Sequence, residues 1–204
     1  MRNNYAWADK IASFLGTLSK IAPVLAVDGN HEIVLKSAYD GAYLPVCEEY
    51  ENRLKTNNIK LLYNQPLILK SNISIYGLNL DVKYYEKRKD IQLEDRVIET
   101  LLGKIKENDF SILLTHNPAY FETYAKWGAD LVLCGHVHGG IIRFGKKGLI
   151  GPERKLFPRY CYGKYEERDS TMIVSSGLGS HRIPIRIGNP MELVVVDLIA
   201  KGKE

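Results

Sequence analysis

Helical patterns alternate with short apolar runs along this chain of 204 residues, and most of the runs end in glycine and polar side chains. Apolar residues at helical spacing predict amphipathic helices over residues 5–21 and 93–107. From Ile33 we expect a loop that leads into a helix over residues 45–55. Because helices alternate with strands early and strands dominate late, the pattern predicts an α/β domain of two packed sheets with outer helices.

Three apolar runs, over residues 24–27, 112–115 and 131–134, predict buried strands that end in side chains able to bind a metal. Ligands bind beyond the carboxyl ends of the strands in open α/β sheets, so we expect these strand ends to meet. They would bring together Asn30, His31, His116, His136 and His138. Chance is a poor explanation for four of the five histidines lying at strand ends.

The donors at these strand ends are imidazole nitrogens and an amide oxygen, without a thiolate. This set suits Mn, Fe, Zn or Ni at an open catalytic position better than a closed structural zinc site. In extended backbone, His136 and His138 would project to the same side and aim at one point. Each motif alone has a plainer interpretation. His-x-His could be a surface loop, Gly29-Asn30-His31-Glu32 an ordinary turn, and His116 a structural histidine.

The region after the helix at 45–55 predicts an antiparallel part of a sheet, with strands over residues 59–63, 66–69 and 73–78. Asn79 and Asp81 follow the last of these strands, where they either line a site or simply end the strand, and Asn79 is the candidate for substrate binding. The charged segment 84–90 predicts a solvated loop.

The last third of the chain contains a long stretch without a sustained helix or strand pattern, from Gly145 to Gly163. Loops of this length are more often functional than not, so we expect it to cover a substrate, with Arg159 as a binding residue. Residues 192–199 are apolar on both faces and predict a final strand that is central or well covered.

With 45% hydrophobic and 25% charged residues, the composition is ordinary for a globular protein of one domain. The net charge of +4 is mild and the basic residues are scattered, which argues against nucleic acid as the main partner. Three cysteines without C-x-x-C spacing favour a reducing cytoplasm. No apolar run approaches the ~20 residues of a membrane span, and the first residues lack a signal-peptide pattern.

Together the motifs resemble those of the calcineurin-like metallophosphoesterases, which carry D-x-H, G-D-x-x-D, G-N-H-[DE], a lone histidine and G-H-x-H. The last three are present as Gly29-Asn30-His31-Glu32, His116 and Gly135-His136-Val137-His138. Residues 131–198 are also similar to a bacterial phosphodiesterase-like subgroup, with G-H-x-H-G-G, Phe-Pro-[RK]-Tyr and Ser-Ser-Gly-Leu-Gly. Some members of that subgroup hydrolyse UDP-2,3-diacylglucosamine and sit at the membrane through an N-terminal anchor.

The resemblance implies a four-layer αββα sandwich and a role for each matching residue. Asn30, His116 and His136 would hold one divalent metal ion, and His138 would hold a second. His31 would stabilise the transition state or protonate the leaving oxygen, oriented by Glu32 or Asp28 as an acidic neighbour. Two metal ions would clamp the phosphoryl oxygens and supply a hydroxide for in-line attack.

The motifs D-x-H and G-D-x-x-D occur nowhere in the 204 residues. In the family they come first and supply most ligands of one metal ion. We therefore expect a single phosphoesterase domain over residues 1–204 that lacks its first strand or strands through an N-terminal truncation. Such a chain would hold one metal ion or none. It would also expose strand edges and apolar surface, which predicts marginal stability or aggregation.

Two hypotheses of function follow. The first is a hydrolase, a metal-dependent phosphoesterase of phosphodiester or pyrophosphate bonds, active when complete and impaired here. The second is a non-catalytic remnant or metal-poor binding protein of the same fold. A nuclease ranks last, because only a few residues near Arg159 hint at a basic stacking groove.

The resemblance also suggests a partner and a location. The expected partner is a small phosphorylated substrate, with a nucleotide-sugar lipid as one candidate. The expected location is the cytoplasm, and membrane association would come only through the missing N-terminal segment.

Overall fold

The computed structural model describes residues 6–37, 44–86, 91–145, 147–150, 157–179 and 185–200. The chain divides into two compact units, residues 1–136 with 164–173, and residues 137–163 with 174–204. The fold is mixed α/β, with a central sheet of several strands flanked by helices. Among the helices of the described residues, none is long and apolar enough to cross a membrane.

The elements alternate as the sequence pattern predicts. The helices are α1 (Ala6–Ser19), α2 (Asn30–Lys36), α3 (Leu44–Thr56), α4 (Asp95–Leu102) and α5 (Phe121–Trp127), with short 3-10 helices at Val82–Tyr85 and Pro118–Tyr120. The strands are β1 (Val24–Ala26), β2 (Ile59–Leu61), β3 (Gln65–Ile68), β4 (Ile73–Leu78), β5 (Phe110–Thr115), β6 (Leu131–Cys134), β7 (Ile142–Phe144), β8 (Lys147–Ile150), β9 (Gly163–Glu167) and β10 (Ser170–Val174).

A six-stranded sheet in the order β3-β4-β5-β6-β10-β9 forms the centre of the described part of the first unit. β4, β5 and β6 run parallel, with Ile112 opposite Leu131. Leu113 and Val132 are fully buried, as expected for strands that are covered on both faces. Because β5 and β6 are parallel neighbours, their carboxyl ends lie at the same edge, which places His116 beside the loop after Cys134.

A smaller core lies in the same unit under α1. Ala12 of α1 packs with Leu54 of α3 and Ile59 of β2, and all three are buried. β1 pairs in parallel with β2 in a two-stranded sheet, with Val24 opposite Ile59. The N-terminal helix predicted from the apolar spacing is therefore confirmed, and one of its faces covers this small sheet.

Three predictions for the first unit are wrong. Residues 30–36 form a helix rather than a turn and loop, and β2 joins β1 instead of an antiparallel sheet with β3. Tyr84 and Tyr85 are buried in a 3-10 helix instead of lying in a solvated loop, while residues 87–90 lie outside the described part. In each case contacts distant in sequence outweigh a local pattern that is short or charged.

In the second unit, β8 lies inside the stretch 145–163 that was predicted to be irregular, and it pairs antiparallel with β7, which lies just before that stretch. The strand predicted over residues 192–199 is wrong, because these residues adopt no regular structure. Leu193, Val195 and Ile199 are 76, 79 and 88% exposed. A strand needs a neighbouring strand for its ladder of backbone hydrogen bonds, and among the described strands none lies beside this segment, although the N–H of Glu192 donates to the carbonyl of Gly177.

Candidate metal centre

Asn30, His116 and His136 converge in the first unit. The side-chain oxygen Oδ1 of Asn30 lies 3.1 Å from Nε2 of His116. The ring centroids of His116 and His136 are 5.0 Å apart. Two donors that share one metal ion at about 2.0–2.2 Å lie roughly 3 Å from each other. The separation of 3.1 Å therefore fits a hydrogen bond and also fits a shared metal ion.

The backbone brings these residues together at the carboxyl ends of β5 and β6. The N–H of Gly135 donates a hydrogen bond to the carbonyl of His116, at 3.3 Å. A Cβ atom on Gly29 would lie 3.3 Å from Nε2 of His116 and 3.0 Å from the carboxylate of Glu32. Glycine thus lets the Asn30 loop approach the imidazole without pressing on either side chain.

His136 and His138 do not have the extended backbone that the sequence analysis assumed. Their φ angles are +66° and +49°, in the left-handed region, where histidine is more frequent than most other residues. β6 ends at Cys134, and the chain turns sharply at once. The extended conformation predicted for these two residues is therefore wrong, and the convergence of both rings on one point stays a prediction.

Tyr85 belongs to this cluster and was not predicted from the sequence. Its ring centroid lies 5.4 Å from that of His136 and 6.2 Å from that of His116. Its buried hydroxyl has no hydrogen-bond partner among the described residues. Burial raises the pKa of Tyr85 well above its usual value, so the hydroxyl stays neutral and able to donate. The charged sequence around it gave no signal of this burial.

A buried ion pair lies directly before Asn30. Asp28 is 2% exposed, and its Oδ2 lies 2.5 Å from Nζ of Lys36, at the end of α2. The same Nζ lies 2.5 Å from Oε1 of Glu51 on α3. Burial raises the pKa of Asp28 above its usual value, although Lys36 lowers it. For Lys36, burial opposes the charge, but the hydrogen bonds to Asp28 and Glu51 outweigh it and raise the pKa.

The two predicted catalytic residues lie on the first turn of α2. His31 is exposed beside Asn30. Oε2 of Glu32 accepts a hydrogen bond from the N–H of Gly29, at 2.9 Å, which satisfies a backbone donor at the start of the helix. This contact gives Glu32 a structural role, and the catalytic roles of both residues stay predictions.

Asn79, a predicted substrate-binding residue, is buried just after β4. Its Oδ1 accepts a hydrogen bond from the N–H of Asp28 at 2.8 Å, and its Nδ2 donates to the carbonyl of Leu62 at 2.9 Å. The amide therefore joins the end of β4 to the loop that carries Asn30. Its contact with a substrate stays a prediction.

His138 and Arg159, the remaining predicted site residues, belong to the second unit. The carbonyl of His138 accepts a hydrogen bond from Nδ2 of Asn189, at 2.6 Å. Arg159 is exposed, with its guanidinium 5.0 Å from the centre of the Tyr160 ring. The metal-binding role of His138 and the substrate-binding role of Arg159 stay predictions.

In the part of the chain that the structure describes, no group of three or more His, Cys, Asp and Glu side chains is placed to hold a metal ion. The convergent set consists of two imidazoles and the Asn30 amide. Nitrogen and oxygen donors without thiolate suit an open site for a divalent cation. The set therefore fits the chemistry of one such ion but supplies only three of its ligands.

Comparison with known proteins agrees with the motifs. A family model described as Calcineurin-like phosphoesterase matches residues 2–140. An uncharacterized metallophosphoesterase of Helicobacter pylori strain 26695 is 30% identical over 200 residues, which cover 96% of this chain and 48% of that protein. A Campylobacter jejuni metallophosphoesterase, Cj0846, is 34% identical over 182 residues, covering 86% of this chain and 41% of that protein.

A third relative, the uncharacterized metallophosphoesterase YkoQ of Bacillus subtilis, is 27% identical over 191 residues, covering 90% of this chain and 64% of that protein. The chain thus spans about half the length of the curated relatives it matches. No solved structure matches it. With the matching family model covering more than half of its residues, the chain belongs to the calcineurin-like phosphoesterase family.

Proposed function

We propose that this protein is a metal-dependent phosphoesterase whose centre is formed by Asn30, His116 and His136. The observation that supports it most directly is the 3.1 Å separation between Oδ1 of Asn30 and Nε2 of His116, beside His136. Residues far apart along the chain supply these donors, and the fold brings them to one place. Manganese is the first ion to test among Mn, Fe, Zn and Ni, which all accept such donors.

Each nearby residue has a task in this proposal. Asn30, His116 and His136 would hold a divalent ion, which would polarise the phosphoryl oxygens and lower the pKa of a water molecule. Asp28 with Lys36 fixes the loop that leads into Asn30. His31, exposed beside Asn30, protonates the leaving oxygen. The neutral hydroxyl of Tyr85, which has no hydrogen-bond partner among the described residues, donates a hydrogen bond to a substrate bound in the site.

The substrate in this proposal is a small phosphoester. Motifs shared with the subgroup that hydrolyses UDP-2,3-diacylglucosamine make an ester of that type one substrate to assay. The motifs D-x-H and G-D-x-x-D, which supply further metal ligands in the family, do not occur in the 204 residues, so we expect low turnover from this chain.

The test is manganese binding by the full chain and by Asn30→Ala, measured by calorimetry, together with hydrolysis of bis(p-nitrophenyl) phosphate. Loss of a metal's outer-shell partner alone costs 10–100-fold in affinity or activity. We therefore expect Asn30→Ala to lose at least about tenfold in both.

Asn52→Ala is the matched control, because Asn52 is exposed on α3, away from the cluster. It should leave metal binding and turnover unchanged. Manganese-dependent turnover that Asn30→Ala does not alter would exclude this centre. Metal binding by the wild-type chain without any hydrolysis would instead support the second hypothesis, a non-catalytic protein of the same fold.

A further inference from the structure

A cleft of about 420 Å³ lies in the first unit between α2, the 3-10 helix Val82–Tyr85 and α4. Clefts of roughly 300–1,000 Å³ are the usual size of small-molecule sites in proteins. Residues 33, 36 and 37 line one wall, residues 79–84 a second, and Val97 and Leu101 of α4 a third.

The cleft begins next to the candidate metal centre. Residues 30, 33 and 37 share one face of α2, because side chains three, four and seven positions apart are stacked along a helix. Ile33 in the cleft wall is therefore one turn, about 5.4 Å or less, beyond Asn30 along the axis. On the second wall, Tyr84 lines the cleft, while the next residue, Tyr85, packs on His116 and His136.

The lining of the cleft is mainly apolar. Ile33 and Leu80 are buried, and Val97 and Leu101 are half-buried. The amide of Asn79, which also lines the cleft, is already hydrogen-bonded to backbone groups through both its oxygen and its nitrogen. Half of its hydrogen-bonding capacity, one acceptor and one donor, is therefore already used.

The charged groups of the cleft are largely neutralised or shielded. Nζ of Lys36 is paired with Asp28 and Glu51. Nζ of Lys83 lies 5.0 Å from the centre of the Tyr84 ring, and Asp81 offsets its charge on the same wall. A second phosphate would gain no net positive charge here and would lose its hydration. An apolar group fits the lining better.

We propose that this cleft binds a compact apolar group, aryl or branched alkyl, attached to the phosphoryl centre of the substrate. The enzyme then prefers phosphodiesters with a bulky apolar group over those with a small one. This inference rests on the proposed function for the adjacent centre. The cleft, however, can be tested by binding alone.

The test fills the cleft with Leu101→Trp and compares two diesters that share the leaving group p-nitrophenolate. Bis(p-nitrophenyl) phosphate carries a second aryl group, and methyl p-nitrophenyl phosphate carries a methyl group. A small change of fit in an apolar pocket is worth 10–200-fold. We expect Leu101→Trp to lose about tenfold or more in kcat/KM for the bis-aryl ester, through KM, and less than about twofold for the methyl ester.

The matched control is Thr100→Trp, which puts the same ring on the exposed side of α4 and should leave both esters unaffected. A second measurement, the Kd of diphenyl phosphate, needs no turnover and should rise with Leu101→Trp only. Equal loss for both esters, or an unchanged Kd in Leu101→Trp, would overturn the inference. If neither ester were hydrolysed but Leu101→Trp alone still raised the Kd of diphenyl phosphate, the proposed function would be overturned and the cleft would remain supported.

Discussion

The loop 27–29 that leads into Asn30 is held by three contacts, one from Asn79 after β4 and two from α2. Asn79 accepts a hydrogen bond from the N–H of Asp28, Glu32 accepts one from the N–H of Gly29, and Lys36 binds the carboxylate of Asp28. Each contact satisfies a polar group that would be costly to leave buried and unpaired. Asn30, the first residue of α2, gains its position from such supports, because residues 27–29 before it belong to no strand.

Replacing Lys36 with methionine tests this support. The substitution leaves the Asp28 carboxylate buried without its cation, and breaking a buried pair costs 3–5 kcal/mol. Since Lys36 is only half-buried, we expect a loss of about 2–3 kcal/mol in the free energy of unfolding, measured with urea. The double variant Asp28→Asn/Lys36→Met should recover part of the lost free energy of unfolding, because it also removes the unpaired charge of Asp28.

Lys10→Met on the exposed surface of α1 is the control for this experiment and should change stability by less than about 0.5 kcal/mol. A Lys36→Met protein as stable as Lys10→Met would show that the ion pair contributes nothing.

Replacing His31 with alanine separates catalysis from coordination. His31 is exposed and next to Asn30, and general acid catalysis is worth 10²–10⁴-fold. We expect turnover to fall by about 10²-fold or more while manganese content, measured by elemental analysis, stays unchanged. An equal fall in manganese content would make His31 a metal ligand instead.

At the scale of elements, long periodic segments and continuous apolar runs were predictable, as α1 and β5 show. α2 was not, because its seven residues are too few for a periodic signal. For the site, the motifs predicted that Asn30, His116 and His136 would converge. They did not predict Tyr85, whose burial depends on packing across the sheet edge.

The start of β4 has an acid-sensitive link to the turn before β5. The hydroxyl of Ser74 donates a hydrogen bond to Asp109, and Nζ of Lys106 lies 3.1 Å from the same carboxylate. The Ser74 bond, helped by Lys106, lowers the pKa of Asp109 below 3.8. The unfolded chain therefore binds this proton more readily. The link stabilises the fold above pH 3.8, and that stability is lost as pH falls through the lower folded pKa.

Ser74→Ala removes the main cause of this shift. We expect its urea midpoint to lie below that of the wild type at pH 7, and the difference to shrink as the pH falls below 3.8. Chemical denaturation across this pH range checks it, with Ser13→Ala on the exposed surface of α1 as the control. A difference that does not change with pH would mean that the Ser74 hydroxyl stabilises the fold independently of the charge on Asp109.

At the scale of the whole molecule, apolar surface is exposed in both units. In the first, Ile11, Phe14 and Ile21 are 40, 48 and 81% exposed at or just after α1. In the second, the segment 191–200 exposes most of its apolar side chains without forming a strand. Exposed apolar patches are sites at which chains associate. We therefore expect the protein to associate at high concentration.

Replacing Val195 with lysine tests the segment 191–200 as the source of this association. Val195 is 79% exposed, so the substitution removes little packing and should change stability by less than about 0.5 kcal/mol. A charge in an extended segment blocks edge-to-edge pairing, and we expect light scattering on concentration to fall severalfold. Thr17→Lys adds the same charge to the exposed surface of α1 and separates this effect from net charge. If both variants reduced light scattering equally, net charge would explain the reduction, and the segment 191–200 would not be the site of association.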